Sequence, residues 1–308
     1  MRIFITGATG VIGKRSLPLL LNAGHHVTAV SRSARNRLAL ERLGATPVEA
    51  SLFDVAELTR AMAGHDAVIN LATHVPSSAR AMMLRWAWRE NDRIRRDGSA
   101  AIASAAAAAG VTRLVQESFA PMYPDHGDDW IDESMPVAPA SYNESAVDAE
   151  RSAERFAAQG GAGVVLRFGA LYGPDGTMRE MLDVLRKGWS PLPGDPRAFF
   201  SSLAQDDAAT AVVAALEVPS GVYNIVEDDP LRRGEWAASL ARAAGLRTPR
   251  QLPKWVVPLG GSVMRLLARS QRISNARFRA ASPWRAKFRR ASEAWHDVLG
   301  AMGTRAAA

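Results

Sequence analysis

Short apolar runs alternate along most of the chain with stretches whose apolar residues recur at helical spacing. We predict strands over residues 2–6, 26–31, 46–50, 67–71, 113–116, 163–168 and 221–226. Between them we predict helices over residues 11–23, 38–43, 56–62, 82–109, 146–159 and 206–216. This alternation is typical of βαβ units, which build a parallel sheet with helices on both faces. The pattern therefore predicts an α/β protein with a doubly wound, Rossmann-type parallel sheet.

The pattern loosens after residue 173. Residues 174–196 are rich in Pro and Gly and predict a loop, and the end of the chain is largely helical and basic. We expect a small, mainly helical C-terminal lobe over the carboxyl edge of the sheet, where open α/β sheets bind ligands. Residues 1–173 and 201–228 would form the dinucleotide-binding domain, and residues 174–200 and 229–308 the substrate-binding lobe.

A glycine-rich segment follows the first predicted strand and opens the first predicted helix. It reads TGATGVIG over residues 6–13, a GxxGxxG spacing. Glycines let the backbone turn sharply and approach a diphosphate, while free amides at the start of the helix donate hydrogen bonds to it. We therefore expect Gly7, Thr9, Gly10, Val11 and Ile12 to bind a dinucleotide.

The end of the second predicted strand indicates which dinucleotide is bound. An NAD-selective site would place an acid there to hold the ribose hydroxyls, but the chain has Ser31 and Arg32, with Arg35 close by. A hydroxyl and a guanidinium suit the 2′-phosphate of NADP(H). The alternative is that these arginines only decorate a loop.

Composition and charge restrict the remaining possibilities. The chain has 308 residues, 47% of them hydrophobic and 22% charged, as in globular proteins, and it has no cysteine for disulfides or thiolate sites. We see no leader peptide and no membrane-spanning apolar run, and we expect a cytoplasmic protein.

The net charge is +7, and residues 247–308 hold 13 Lys or Arg against two acids. Without a recognisable aromatic-basic module, a solvated surface explains this tail better than nucleic-acid binding does.

Further motifs give the chain a resemblance to a known family. They are Asn70-Leu71-Ala72 after the fourth strand and Tyr172-Gly173-Pro174 after the sixth, besides the glycine segment. The chain resembles the extended or atypical short-chain dehydrogenase/reductases of the NAD-dependent epimerase/dehydratase group. We expect additional cofactor contacts from Leu52, Leu71, Ala72, Thr73, Phe168, Gly169 and Leu171.

The resemblance also implies an active site, and the chain departs from it. The family joins a Ser or Thr, a Tyr-x-x-x-Lys and often a helical Asn. Tyr142 matches the tyrosine, but Ala146 occupies the lysine position and Arg95 the asparagine position. The hydroxyl position holds Phe119, with Ser118 one residue away. We retain Tyr142, Ser118 and Arg95 as candidate catalytic residues, and Glu117, beside the strand end, as a further polar candidate.

Loss of the lysine favours one direction of reaction. A cation about 4 Å from the phenol is worth roughly 4 kcal/mol at an effective dielectric near 20, or about three pKa units. Without that cation, a phenol with a pKa near 10 is about one part in a thousand ionised at pH 7. A neutral phenol donates a proton but does not abstract one, so reduction is easier to explain than oxidation. Arg95 would replace the missing charge if it reaches the phenol.

The segments expected near the nicotinamide are apolar, which indicates a small hydrophobic or aromatic substrate. Met82 and Trp86, four residues apart, would equally suit a homodimer seam. We expect no metal site, because His25 and His26 point to opposite faces of a strand.

The leading hypothesis for the function is NADP(H)-dependent reduction of a carbonyl or enone. The alternatives are a non-redox isomerase, dehydratase or cyclase that keeps the nucleotide as a scaffold, and a silent NADP(H)-binding regulator.

Overall fold

A parallel sheet organises the structure, a computed structural model that describes residues 1–76, 78–252, 256–259 and 261–303. Its strands are β1 (Arg2–Thr6), β2 (His26–Val30), β3 (Thr46–Val48), β4 (Ala67–Asn70), β5 (Arg113–Phe119), β6 (Trp130–Ile131), β7 (Ala162–Phe168), β8 (Ala170–Tyr172), β9 (Phe199–Phe200), β10 (Ser202–Ala204), β11 (Gly221–Ile225), β12 (Leu231–Arg232) and β13 (Arg272–Ile273). Seven of them form one sheet in the order β11-β7-β5-β4-β1-β2-β3, and every neighbouring pair is parallel. The predicted doubly wound Rossmann-type sheet is confirmed.

Helices cover both faces of this sheet. They are α1 (Gly13–Asn22), α2 (Ala34–Leu43), α3 (Val55–Met62), α4 (Ala79–Met82), α5 (Arg89–Arg93), α6 (Ser99–Ala108), α7 (Glu144–Ala158), α8 (Gly176–Arg186), α9 (Gln205–Ala214), α10 (Arg233–Ala243), α11 (Val256–Leu259), α12 (Gly261–Leu267), α13 (Ala276–Ala281) and α14 (Ala291–Ala301). One core cluster packs α1 and α9 against the sheet, and a second packs α3, α6 and α7 against the other face.

The predicted loop over residues 174–196 is wrong, because it contains the 11-residue helix α8. The Asp175 carboxylate caps this helix and accepts a hydrogen bond from the Met178 amide at 3.0 Å. Met178, Leu182 and Leu185 are buried at helical spacing. Prolines and glycines on either side of the helix produced the loop prediction, although the apolar period was present between them.

The predicted helix over residues 82–109 is interrupted. A 3₁₀ turn, Arg85–Trp88, precedes α5, and a π turn, Ile94–Gly98, joins α5 to α6. Helical backbone angles at Ile94 and Ser99 show that the chain continues through the π turn without a break. A π turn accommodates one extra residue and changes the rotational phase of the helix after it. Here it buries Arg95 beneath the carboxyl ends of the strands.

A ladder of buried polar side chains joins three central strands at their carboxyl ends. The Thr6 hydroxyl donates to Asn70 Oδ1 at 2.6 Å, and Asn70 Nδ2 donates to Gln116 Oε1 at 2.8 Å and to Ser99 Oγ at 3.1 Å. Because buried polar groups are costly unless hydrogen-bonded, this ladder fixes the relative positions of β1, β4, β5 and α6. These are the elements that surround the cleft described below.

The C-terminal helices pack on the sheet through an aromatic core that surrounds a buried carboxyl group. Tyr172, Trp236 and Trp295 are in mutual ring contact, with centroids 4.8 to 6.5 Å apart. Glu227, only 1% exposed, accepts hydrogen bonds from the Tyr172 hydroxyl at 2.6 Å and from Ser202 at 3.0 Å. Burial raises the pKa of Glu227 to about 8. The predicted boundary between the two lobes stays a prediction.

Many cations of the basic tail contact earlier parts of the chain. Arg269 donates to the carbonyl oxygens of Tyr123 at 2.8 Å and Ala138 at 2.6 Å. Arg279 forms an ion pair with Asp228 at 3.2 Å, and the guanidinium of Arg272 lies 4.2 Å from the ring centroid of Trp130. These contacts help to attach the tail to the body of the protein. In the described part of the chain, no helix has the length and apolarity needed to cross a bilayer.

Candidate active site

A cleft of about 540 Å³ opens at the carboxyl ends of the strands. The candidate cofactor residues that line it are Gly7, Thr9, Gly10, Val11, Ile12, Arg32, Leu52, Leu71, Ala72, Thr73, Phe168, Gly169 and Leu171. The structure thus brings together all the predicted cofactor residues except Ser31 and Arg35. Its position agrees with the rule that doubly wound sheets bind ligands where the strand order reverses, here between β1 and β4.

The glycine segment forms a tight turn between β1 and α1. Gly7 has a φ of 71°, and a Cβ there would lie 2.4 Å from the Leu71 carbonyl oxygen. A Cβ on Gly13 would lie 2.2 Å from the Gly7 carbonyl oxygen, so both positions require glycine for internal packing. Gly10 differs, because a Cβ there meets only the Gly7 oxygen, at 3.1 Å, and otherwise points into open space.

The start of α1 fits a diphosphate. Its first turn has no acidic residue and no capping side chain. The amides of Val11 and Ile12 have no hydrogen-bond acceptor within the described residues. Free amides at a helix N-terminus, next to the open space at Gly10, are the donors that a phosphate group requires. The residues present therefore fit a dinucleotide, with Gly10, Val11 and Ile12 at its diphosphate.

The end of β2 places a cation at the rim of the cleft. Arg32 is exposed and lines both the cleft and two adjoining hollows. Ser31 lines the hollows but not the cleft, and its hydroxyl donates to the Ser33 carbonyl oxygen at 3.1 Å. Arg35 is exposed and lines neither the cleft nor the two hollows. Glu49 contributes a carboxylate to the same hollows. The roles of Ser31, Arg32 and Arg35 stay predictions.

Arg95 and Glu117 form a buried ion pair at the inner end of the cleft. Arg95 Nη2 lies 2.5 Å from Glu117 Oε1, and the two side chains are 5% and 12% exposed. The π turn positions the arginine, and the end of β5 positions the glutamate. Sequence reasoning gave both residues as candidates but did not connect them, because the pairing depends on the extra residue in the π turn.

Ser118 lies in the wall of the cleft but donates its hydrogen bond away from it. Its hydroxyl is 2.5 Å from Glu150 Oε1, and Glu150 is also held by Arg167 through hydrogen bonds of 2.8 and 2.7 Å. Arg167 Nη1 donates to the Tyr123 hydroxyl at 2.6 Å. This buried network ties β5, α7 and β7 together, so Ser118 has a structural role, and its catalytic role stays a prediction.

Tyr142 lies behind the cleft wall. It is 4% exposed, contacts Trp88 with ring centroids 4.7 Å apart, and belongs to a cluster that also includes Met82 and Phe119 of the cleft lining. No described residue hydrogen-bonds to its hydroxyl. Burial raises the pKa of Tyr142, although the charge of Arg95 opposes the effect. Its catalytic role stays a prediction.

The remaining cleft lining is largely apolar, with a polar group at one side. Phe119, Met82 and Val75 form apolar walls. Sequence reasoning missed Asp175 and Gln205, which also line the cleft, with Gln205 Nε2 2.5 Å from Asp175 Oδ2. The signal for Asp175 was its position as the cap of α8, hidden within the predicted loop.

Trp86 is 68% exposed, and the suggested dimer seam stays a prediction. No cluster of three or more His, Asp or Glu residues able to hold a metal occurs in the described ranges.

The fold and the cleft together define a Rossmann-type, dinucleotide-binding protein. Residues 3–225 match the model of the NAD dependent epimerase/dehydratase family. The chain belongs to this family, as its glycine segment and its resemblance to short-chain dehydrogenase/reductases predicted.

Similar proteins include several that are named as reductases. The chain is 33% identical to a 3-diazoavenalumate denitrifying reductase from a Streptomyces species, over 97% of this chain and 99% of that protein. It is 29% identical to a 2-alkyl-3-oxoalkanoate reductase from Shewanella oneidensis, over 89% of this chain and 76% of that protein. These similarities and the family membership make the chain an oxidoreductase that uses a nicotinamide dinucleotide.

Solved structures share the fold at low sequence identity. The UDP-glucose 4-epimerase of Thermotoga maritima superposes with a TM-score of 0.79 at 21% identity, covering 98% of this chain and 99% of that one. The human epimerase family protein SDR39U1, solved with NADPH, gives a TM-score of 0.77 at 24% identity, covering 97% and 99%. At these identities the comparison establishes the architecture alone.

Proposed function

We propose that the protein is an NADP(H)-dependent reductase that acts on a carbonyl or enone of a small hydrophobic or aromatic metabolite. The observation that carries this proposal is one continuous cleft. Its lining combines the glycine segment and Arg32 with apolar walls and the Arg95–Glu117 pair. A cleft of this kind has room for a dinucleotide along the strand ends and for a nonpolar molecule beside its nicotinamide.

The preference for NADP(H) rests on Arg32. Its guanidinium is exposed at the rim of the cleft, at the position where an NAD-selective site would carry an acid. A guanidinium forms two charge-assisted hydrogen bonds to a phosphate, whereas a carboxylate repels it. Glu49 also lines the adjoining hollows, where Arg32 would offset its repulsion of a phosphate.

The direction of the reaction follows from the phenol. Bound NADPH would supply the hydride. Because burial raises the pKa of Tyr142, its hydroxyl stays protonated at neutral pH, so in this proposal it acts only as a proton donor, from its position behind Met82 and Phe119. Phe168, Gly169 and Leu171 form the wall on which the nicotinamide ring would pack, and Phe119 with Met82 excludes water from the substrate side. The neutral phenol holds the proton that reduction consumes.

The test follows NADPH absorbance at 340 nm with a panel of aromatic ketones, enones and quinones. We expect turnover of at least one member, together with tighter binding of NADPH than of NADH by calorimetry. Nucleotide binding without oxidation across the panel would instead support the non-redox enzyme or the silent regulator. Absence of binding by either nucleotide would overturn the proposal as a whole.

A second candidate reaction is favoured by the full-length similarity to a denitrifying reductase. Hydride transfer to an arenediazonium ion forms a C–H bond, breaks the C–N bond and releases dinitrogen, with NADP⁺ as the other product. This reaction needs no proton donor, which suits a cleft whose lining does not include Tyr142. Enzyme-dependent release of one N₂ per NADPH oxidised, measured against the uncatalysed rate, would support it. Equal rates with and without enzyme would exclude it.

A further inference from the structure

The Arg95–Glu117 pair is incomplete as a hydrogen-bonding unit. The single hydrogen bond joins Arg95 Nη2 to Glu117 Oε1. Arg95 Nε and Glu117 Oε2 are both buried, and neither has a hydrogen-bond partner within residues 1–76, 78–252, 256–259 and 261–303. Buried polar atoms in native proteins almost always find partners, and Arg95 and Glu117 are the one ion pair in the described residues in which both members keep such an atom unpaired, which points to a further partner, water or ligand, at this place.

The position of the pair identifies where that partner comes from. Both residues line the cleft. Thr73, which follows β4, and Phe119, at the end of β5, line the same cleft. The unpaired carboxylate oxygen therefore belongs to a residue in the wall of the cleft.

The chemistry of the free atom restricts the ligand. A carboxylate in an ion pair accepts hydrogen bonds and does not donate them. A buried acceptor in a cleft whose lining includes Phe119, Met82 and Ile94 discriminates strongly, because a ligand without a donor leaves the carboxylate oxygen unsatisfied. A site built in this way rejects analogues that lack the matching O–H or N–H group.

We propose that Glu117, oriented by Arg95, is a specificity-determining residue. Its Oε2 accepts a hydrogen bond from an O–H or N–H group that the substrate carries on its aromatic or apolar body. Arg95 is the positioning residue, because it holds the carboxylate at the wall of the cleft. This inference rests on the proposed reductase function and adds to it that the substrate is a phenol, an arylamine or a related donor-bearing molecule.

The experiment measures binding to the enzyme saturated with NADP⁺, by calorimetry. The probes are the isomeric hydroxyacetophenones with their methyl ethers, and the isomeric aminoacetophenones with their dimethylamino counterparts. We expect the best donor-bearing isomer to bind about tenfold or more tightly than its methylated partner, since a hydrogen bond to a charged group has that value. The two series distinguish a hydroxyl from an amino donor.

Variants show whether Glu117 causes the preference. Glu117→Gln should reduce the tenfold ratio to within about threefold, while the exposed Glu154→Gln on α7 should leave it unchanged. If Glu117→Gln does not fold with Arg95 unpaired, the double variant Arg95→Met, Glu117→Gln removes both charges and should give the same loss of preference. An unchanged ratio in a folded variant refutes the proposal.

Other outcomes are equally decisive. Equal affinities for donor and methylated probes in the unmodified enzyme, or no binding by any probe, would overturn the assignment of Glu117. NADPH binding and NADPH oxidation are measured separately with the panel of the previous section. Failure of this inference therefore leaves the reductase proposal standing, whereas failure to bind nucleotide would remove the basis of both.

Discussion

The buried carboxyl group of Glu227 should make the protein less stable as the pH rises. Its pKa is raised from 4.5 to about 8, mainly because burial penalises the charged form. In this pH range the folded protein therefore binds a proton that the unfolded chain releases, so the free energy of unfolding falls as the pH increases. Well below pH 4.5 the group is protonated in both states, and well above pH 8 the full penalty is present.

The magnitude follows from the difference in pKa. A difference of about 3.5 corresponds to about 5 kcal/mol, of which about 3 to 4 kcal/mol falls between pH 5 and pH 8. The variant Glu227→Gln retains an acceptor for the Tyr172 hydroxyl but does not titrate. We expect its free energy of unfolding to lose this part of the pH dependence.

The assay is urea unfolding of both proteins at half-unit intervals from pH 5 to pH 8, with Glu154→Gln as the matched surface control. Asp207, whose pKa is also raised by burial, is present in every protein, so its own burial is common to all of them, while its charge contributes to the raised pKa of Glu227 that the comparison measures. The difference in unfolding free energy between the unmodified protein and Glu227→Gln should change by about 3 to 4 kcal/mol across the range. A constant difference would refute the reasoning.

Three further predictions concern the cleft. Arg32→Asp should shift the affinity ratio from NADP⁺ toward NAD⁺ by tenfold or more, measured by calorimetry, and an unchanged ratio would remove Arg32 from the 2′-phosphate site. Tyr142→Phe should lower reductase kcat at least tenfold with unchanged NADPH affinity, and wild-type turnover would exclude it as proton donor. Gly10→Ala should keep the thermal midpoint within a few degrees but weaken NADPH binding at least tenfold, whereas Gly13→Ala should unfold at lower temperature, because its Cβ would overlap the Gly7 carbonyl. Equal thermal losses in both glycine variants would contradict this distinction.

The sheet was predictable from the sequence because each strand and helix has its own apolar period. Strand β1 has the predicted bounds, and β5 extends three residues beyond the predicted end at Gln116, through Glu117 to Phe119. That extension carries the carboxylate of Glu117, which is central to the candidate site. Local periodicity does not show it, because the end of a parallel strand is determined by its neighbours, here β7, which pairs with β5 up to Phe168.

The site was predictable where a motif and a backbone requirement coincide, as at Gly7. It was not predictable where side chains from distant segments meet. The pairing of Arg95 with Glu117 needs a π turn that no residue in the sequence announces, and the contact of Tyr142 with Trp88 joins residues 54 positions apart. Such contacts are products of tertiary packing, which local patterns do not encode.

The π turn within residues 89–108 separates a part of the helix that faces the cleft from a part, α6, that packs on the sheet. In a regular α-helix each residue advances about 100°, so the gain or loss of one residue in the part that faces the cleft would also rotate α6 away from its contacts with α3 and α7. An inserted residue absorbs that rotation locally. The portion facing the cleft is thereby free to diversify, by substitution or by gain and loss of a single position, while the portion that stabilises the sheet stays in register.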